Sequence, residues 1–121
     1  MERDATTADQ ELQTSWPDPD MLDDPFEQAV WRAKAEEAQL LIRKHHDYGP
    51  TNISRSPGGP LNGLAVRLWD KVARMFNLGV LLPWRTGSEV APQNESLRDT
   101  GQDIANYGTI ATLVVDGLWP S

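Results

Sequence analysis

The stretch Leu61-Asn62-Gly63-Leu64-Ala65-Val66-Arg67-Leu68-Trp69-Asp70-Lys71-Val72-Ala73-Arg74-Met75-Phe76-Asn77-Leu78 decides the fold. Leu64, Leu68, Val72 and Met75 recur at helical spacing and make one apolar face. Arg67, Asp70, Lys71, Arg74 and Asn77 make a polar face, and Ala65, Trp69, Ala73 and Phe76 a second apolar strip. A helix that is apolar on two sides is usually sandwiched. Here that means a helix over about 61–78, lying between its own core and another subunit.

Upstream, Ser56-Pro57-Gly58-Gly59-Pro60 marks a loop over 49–60. Before it, Asp24-Pro25-Phe26-Glu27 combines an N-cap acid, a proline at the first helical position and a glutamate three residues after the cap. A helix is expected from there to about Lys44, with Phe26, Val30, Ala33, Ala38, Leu41 and Ile42 as its apolar stripe. It should stop within His45-His46-Asp47-Tyr48-Gly49-Pro50, where glycine ends a helix and proline forbids its continuation. Downstream, residues 79–93 read as a loop. A third helix is expected from about 94–96 to Asp116, burying Leu97, Ile104, Ala111, Val114 and Val115. The pattern is all-α: a small three- to four-helix bundle. Three helices make a thin core for a monomer, so a homo-oligomer is expected.

Charge separates the bundle from what precedes it. Residues 1–24 hold eight acids and one base, which accounts for the whole net charge of −7 in a chain of 121 residues. The remainder carries ten acids and ten bases. The pI of about 4.6 therefore describes the N-terminus and not the ligand of the domain. Residues 1–23 are expected to be an acidic, poorly ordered tail, since they cannot bury enough apolar area to offset their ordering entropy. Trp16, Met21 and Leu22 are the exceptions and form a small patch able to dock on the domain or on a neighbouring subunit. Residues 24–121 are the helical domain. No apolar run is long enough for a membrane span, and the N-terminus lacks the apolar stretch of a signal peptide. With no cysteine there is no disulfide framework, thiolate metal site or cysteine nucleophile. A cytoplasmic location follows as the default. Balanced charge in the domain provides no direct evidence for DNA or RNA binding.

Three constellations carry possible chemistry. Glu95, Asp99 and Asp103 recur at steps of four, each about 40° past a full helical turn, and so form one carboxylate stripe. Stacked like charges repel unless something positive sits among them. A divalent cation such as Mg2+, held by oxygen ligands, is one candidate, and the basic face of the second helix is another. Glutamate and aspartate also favour a helix N-terminus through its dipole, which accounts for Glu95 and Asp99 more readily than for Asp103. Second, Arg67, Lys71 and Arg74 form a basic line suited to phosphate oxygens, with Asp70 within reach. The plain alternative is an interhelical salt-bridge network with Asp99 and Asp103. Third, Lys44-His45-His46-Asp47-Tyr48-Gly49 with Asn52 places several polar side chains at a helix end. His46 and Tyr48 could contact a base or sugar, and Asp47 could join a metal. Ordinary helix-end and turn chemistry explains the same residues. Asn106 and Tyr107 follow Asp103 on the third helix and could complete the polar face.

Taken together, Lys44…Asp47-Tyr48-Gly49, Asn52-Ile53, Leu64…Arg67-Leu68…Asp70-Lys71…Arg74…Asn77-Leu78 and Glu95-Ser96…Asp99…Asp103-Ile104-Ala105-Asn106-Tyr107 resemble the phage and bacterial nucleotide-modification-associated domain family. The resemblance covers roughly residues 40–116. It implies a place near nucleotide metabolism and, for a phage-encoded protein, the host cytoplasm. A more distant likeness is to the all-α, MazG-like nucleoside triphosphate pyrophosphatases. Their helices bind Mg2+ with Glu-x-x-Glu and a later Glu-x-x-Asp. Here Glu36-Glu37 lacks the first spacing, and Asp99 and Asp103 stand four apart rather than three.

Three readings follow. In the first, a metal-dependent nucleotide phosphohydrolase, Asp103, Asp99 and Asp70 are the candidate catalytic carboxylates, and Asp99, Asp103 and Glu95 hold Mg2+. Arg67, Lys71 and Arg74 clamp the phosphates, while Lys44, His46, Asp47, Tyr48, Asn52, Asn106 and Tyr107 line the rest of the ligand. The second is a nucleotide-sequestering module without turnover. The third is a structural or interaction protein whose polar faces are salt bridges.

Overall fold

The computed structural model describes residues 16–80 and 90–121, and only the backbone of residues 79–80 and 90–96. Among the described residues the protein is all-α. Its helices are α1 (Pro25–Tyr48), the single-turn α2 (Thr51–Ser54), α3 (Pro60–Met75) and α4 (Val90–Val115). A short 3-10 turn, Pro19–Met21, precedes α1, and a π turn, Phe76–Val80, ends α3. No helix among the described residues is long and apolar enough to cross a membrane. The chain divides into two compact units, Met1–Glu36 and Glu37–Ser121, with the division falling inside α1.

In the first unit, residues 16–24 fold along the opening turns of α1. Asp18 accepts from the Asp20 amide at 3.0 Å, and Asp24 caps α1 by accepting from the Phe26 amide at 3.0 Å. Arg32 pairs with Asp20, and Gln28 donates to the Leu22 carbonyl. Trp16 meets Trp31 edge to face, with ring centroids 4.5 Å apart. Such an aromatic pair contributes about 1 kcal/mol beyond its buried area. Of the expected acidic tail, residues 16–23 are thus engaged with α1, and residues 1–15 lie outside the described residues.

The second unit holds the core. Ile53, Leu64 and Ile110 are buried, with Leu41, Tyr107, Ala111, Val114 and Trp119 packed against them. Helix α1 runs one turn further than its sequence suggests. Nothing in His45-His46-Asp47-Tyr48 breaks a helix, and the stop comes at Gly49, whose φ of +70° suits a residue without Cβ. Its amide donates to the His45 carbonyl at 2.8 Å. That extra turn extends the inward stripe as Leu41, Lys44, His45 and Tyr48, at i, i+3, i+4 and i+7. Ile42 sits about 100° around the helix from Leu41 and faces outward. The loop expected over 49–60 contains the unexpected turn α2, which delivers Ile53 to the core.

On α3 the two apolar strips have different fates. Leu64 is buried, Leu68 and Met75 are half-buried and Val72, expected with them, is exposed, whereas Trp69 is 70% and Phe76 54% exposed. On α4, Ile110 is buried and Leu97, Ile104, Ala111 and Val114 are half-buried. Val115, expected inside, is exposed, because it lies about 120° around the helix from Asp103 while Ile110 lies within about 20°. After α4 the chain folds back, with the Leu118 and Trp119 amides donating to the Leu113 carbonyl at 2.8 and 3.2 Å. The Trp119 indole then donates to the Pro50 carbonyl at 3.2 Å, which ties the C-terminal segment to the end of α1.

Candidate functional site

Where α1, α3 and α4 converge there is a cavity of about 260 Å³. Its charged end is built by three helices. Lys44 of α1 donates to Asp103 Oδ1 at 3.1 Å, and Lys71 of α3 donates to Oδ2 at 2.9 Å. Burial acts to raise the Asp103 pKa. The hydrogen bonds from Lys71 and Lys44, with their positive charges, outweigh it and hold the carboxyl below the ordinary aspartate range.

Arg67 lies one turn before Lys71 on α3 and is seated differently. Its Nη2 donates to the Asn52 carbonyl at 3.0 Å and its Nη1 to Ser56 Oγ at 3.3 Å. Ser56 Oγ in turn donates to the Asn52 carbonyl at 2.8 Å. Ser56 can sit there because residue 63 is glycine. A Cβ on Gly63 would fall 2.3 Å from Ser56 Oγ and 2.4 Å from Ser56 Cβ. No carboxylate among the described residues pairs with Arg67, so the cavity carries three cations against one anion.

The remaining wall is aromatic and amide. Tyr48, Tyr107, His45 and Trp119 line it with Asn52 and Asn106, and Leu41, Gly49, Ile53 and Ile110 close the apolar side. The His45 and Trp119 rings meet edge to face at 5.0 Å, and His45 Nδ1 is buried without a hydrogen-bond partner. Asn106 is 8% exposed.

Of the residues singled out from the sequence, the cavity gathers Lys44, Tyr48, Asn52, Arg67, Lys71, Asp103, Asn106 and Tyr107. The described lining does not include His46, Asp47, Asp70, Arg74 or Asp99, and these five are exposed. Helix geometry explains each. Asp70 is about 60° further round α3 than Arg67, and Arg74 keeps Arg67's side but lies about 10 Å along the axis. His46 and Asp47 point away from the stripe of Lys44, His45 and Tyr48. Asp99 keeps the side of Asp103 but sits about 6 Å nearer the start of α4. The side chain of Glu95 lies outside the described residues.

Sequence reasoning missed His45 and Trp119. The first was legible: carrying the helical period of Leu41 through to Tyr48 selects His45 rather than His46. Trp119 had no local signal, since its position depends on the fold-back after α4.

Among the described residues, no group of three or more His, Asp or Glu side chains could hold a metal ion. The one carboxylate in the cavity is engaged by two ammonium groups. The donors described do not by themselves fit Mg2+. No family model matches the chain, and no curated protein or solved structure shows significant similarity to it.

Proposed function

We propose that this cavity binds a phosphorylated nucleotide, with the phosphate held by Lys44, Arg67 and Lys71 and the base set against the aromatic wall. The observation that carries the reading is the charge count. Three cations from two helices face one carboxylate, in a cavity whose other walls are aromatic, amide and aliphatic. Like charges gathered at one partly exposed site repel unless an anion compensates them, and Asp103 compensates only in part. A phosphate supplies the missing charge, and guanidinium and ammonium groups are its usual donors. The resemblance to the nucleotide-modification-associated domain points the same way.

The test is a thermal-shift and calorimetric panel of nucleoside mono-, di- and triphosphates, run with Mg2+ and again with chelator. Saturating ligand at about 100 times its Kd adds roughly 2.7 kcal/mol of stability. Stabilisation in both conditions, with the ligand recovered intact, is the expected result for a binding module. Stabilisation that requires Mg2+, with phosphate or pyrophosphate released, extends the reading to a phosphohydrolase. No shift with any nucleotide sinks it and leaves a structural protein.

A further inference from the structure

Six apolar residues of α3 that face solvent form one patch. At about 100° per residue, Val72, Ala65, Phe76, Trp69, Ala73 and Val66 fill an arc of about 120°, and Ala73 stands about 180° from the buried Leu64. All six are exposed, and Trp69 and Phe76 alone leave roughly 250 Å² of ring surface open. With the valines and alanines the patch reaches about 400–500 Å², as large as the largest apolar patch of a typical monomer, and such patches are often interaction sites. The core beneath it is thin: the buried apolar side chains among the described residues are Ile53, Leu64 and Ile110.

The edge of the patch identifies its occupant. Asp70 and Arg74 follow Val66 around the helix, at about 60° and 100° from Ala73. Both are exposed, and neither has an ion-pair partner among the described residues. An anion and a cation one turn apart on the same edge complement a copy of themselves running the other way. In an antiparallel pair related by a twofold axis at the level of Lys71, the same edges of the two helices meet. Asp70 then comes within about 3 Å of helix rise of Arg74 on the second copy, and symmetry repeats the contact. Trp69 falls opposite Ala73 and Val66 opposite Phe76, so large side chains meet smaller ones as ridges meet grooves. A parallel pair would set Trp69 on Trp69 and put the charges on opposite edges. Two such patches bury about 800–1,000 Å² between them, and the charged edges bring the sum near the lower bound of specific interfaces, about 1,200 Å².

We propose that α3 pairs antiparallel with α3 of a second copy of this chain, through Val66, Trp69, Ala73 and Phe76, with Asp70 and Arg74 exchanging partners across the twofold axis. Lys71 lies about 160° around the helix from Ala73, so pairing leaves the cavity open, whether or not a nucleotide occupies it.

The test is sedimentation velocity of the full chain over a range from about 1 to 200 μM, since dimer formation follows mass action. The expected result is a monomer–dimer equilibrium with a Kd on the order of 10 μM. Trp69→Glu should weaken it by roughly a hundredfold, as loss of a central tryptophan does, with helicity unchanged because the side chain faces outward. Asp70→Arg and Arg74→Asp should each self-associate roughly tenfold more weakly. An equimolar mixture of these two variants should recover the dimer, because only the mixed pair sets two cations against two anions. A wild type that stays monomeric throughout overturns the proposal. Iodide quenching of Trp69, read as the difference between wild type and Trp69→Phe, then separates cover by the chain's own residues 81–89 from a face left for a different protein. A dimer that Trp69→Glu leaves intact places the interface elsewhere and overturns the proposal as well. If Trp69→Glu fails to fold, the charge variants decide, and a mixture no tighter than its components rules out the antiparallel pairing.

Discussion

Lys71 Nζ lies 2.9 Å from Asp103 Oδ2, and this contact joins the middle of α3 to the middle of α4. The same carboxylate also takes Lys44 from the end of α1, so one side chain collects three helices. The carboxylate stripe that the sequence shows as a repulsive feature is thus compensated at Asp103 by two lysines from elsewhere in the chain.

The pH dependence follows from the depressed Asp103 pKa. A carboxyl whose folded pKa lies below its unfolded value stabilises the protein fully above the unfolded value, about 3.9 for aspartate. That contribution is lost as pH falls through the folded value. Melting curves of the wild type and Asp103→Asn should differ by a constant amount from pH 8 to about pH 5, and the gap should narrow steadily as pH falls below about 3.9. A gap that does not narrow at all as pH falls below about 3.9 would show that the contact is held by shape and not by charge.

Asp103→Asn at neutral pH should leave a folded helical protein that is less stable by about 1 kcal/mol, a value between those of exposed and buried pairs. It leaves Lys44 and Lys71 without their shared anion, so inorganic phosphate should stabilise this variant more than it does the wild type. Circular dichroism melts with and without phosphate provide the check, and equal phosphate shifts in the two proteins would contradict the account.

Gly63→Ala should destabilise, although alanine is the better helix former by about 1 kcal/mol. The added methyl meets Ser56 Oγ and Cβ well inside contact distance, and overpacking of this kind costs about 1–3 kcal/mol. Ser56→Gly in the same chain should recover most of the loss. A stabilised single variant in urea unfolding would show that Ser56 moves aside freely.

Trp119→Phe keeps most of the ring but removes the indole N–H that donates to the Pro50 carbonyl. The expected loss is about 1 kcal/mol. If nucleotide seats against this wall, saturating ligand should also quench the Trp119 fluorescence, read as the difference between wild type and variant. Identical quenching in the two proteins would place the ligand elsewhere.

Much of the site was legible where helical period and residue chemistry coincide. Arg67 and Lys71 stand at i, i+4 beside the buried Leu64, and Asp103, Asn106 and Tyr107 follow one face that ends in Ile110. Legibility failed where a residue shares the right chemistry but not the right axial position. Arg74 and Asp99 have the same sides of their helices as Arg67 and Asp103, yet each lies beyond the end of the cavity. A helical wheel carries angle and discards rise, and rise decided both.

By itself the sequence determined that the chain is all-α and where its three long helices lie, because these depend on local caps, breakers and the 3.6-residue period. It did not settle their inward faces, since Phe26, Val30, Ile42, Val72 and Val115, all expected inside, are exposed. It also determined that Gly49 ends α1, since a positive φ there is a property of one residue. Only the tertiary structure decided that Asp103 is shared by lysines from two helices, that Trp119 returns to the end of α1, and that Asn106 is buried. Each of these depends on the distance between segments far apart in the chain, a quantity that no local pattern encodes.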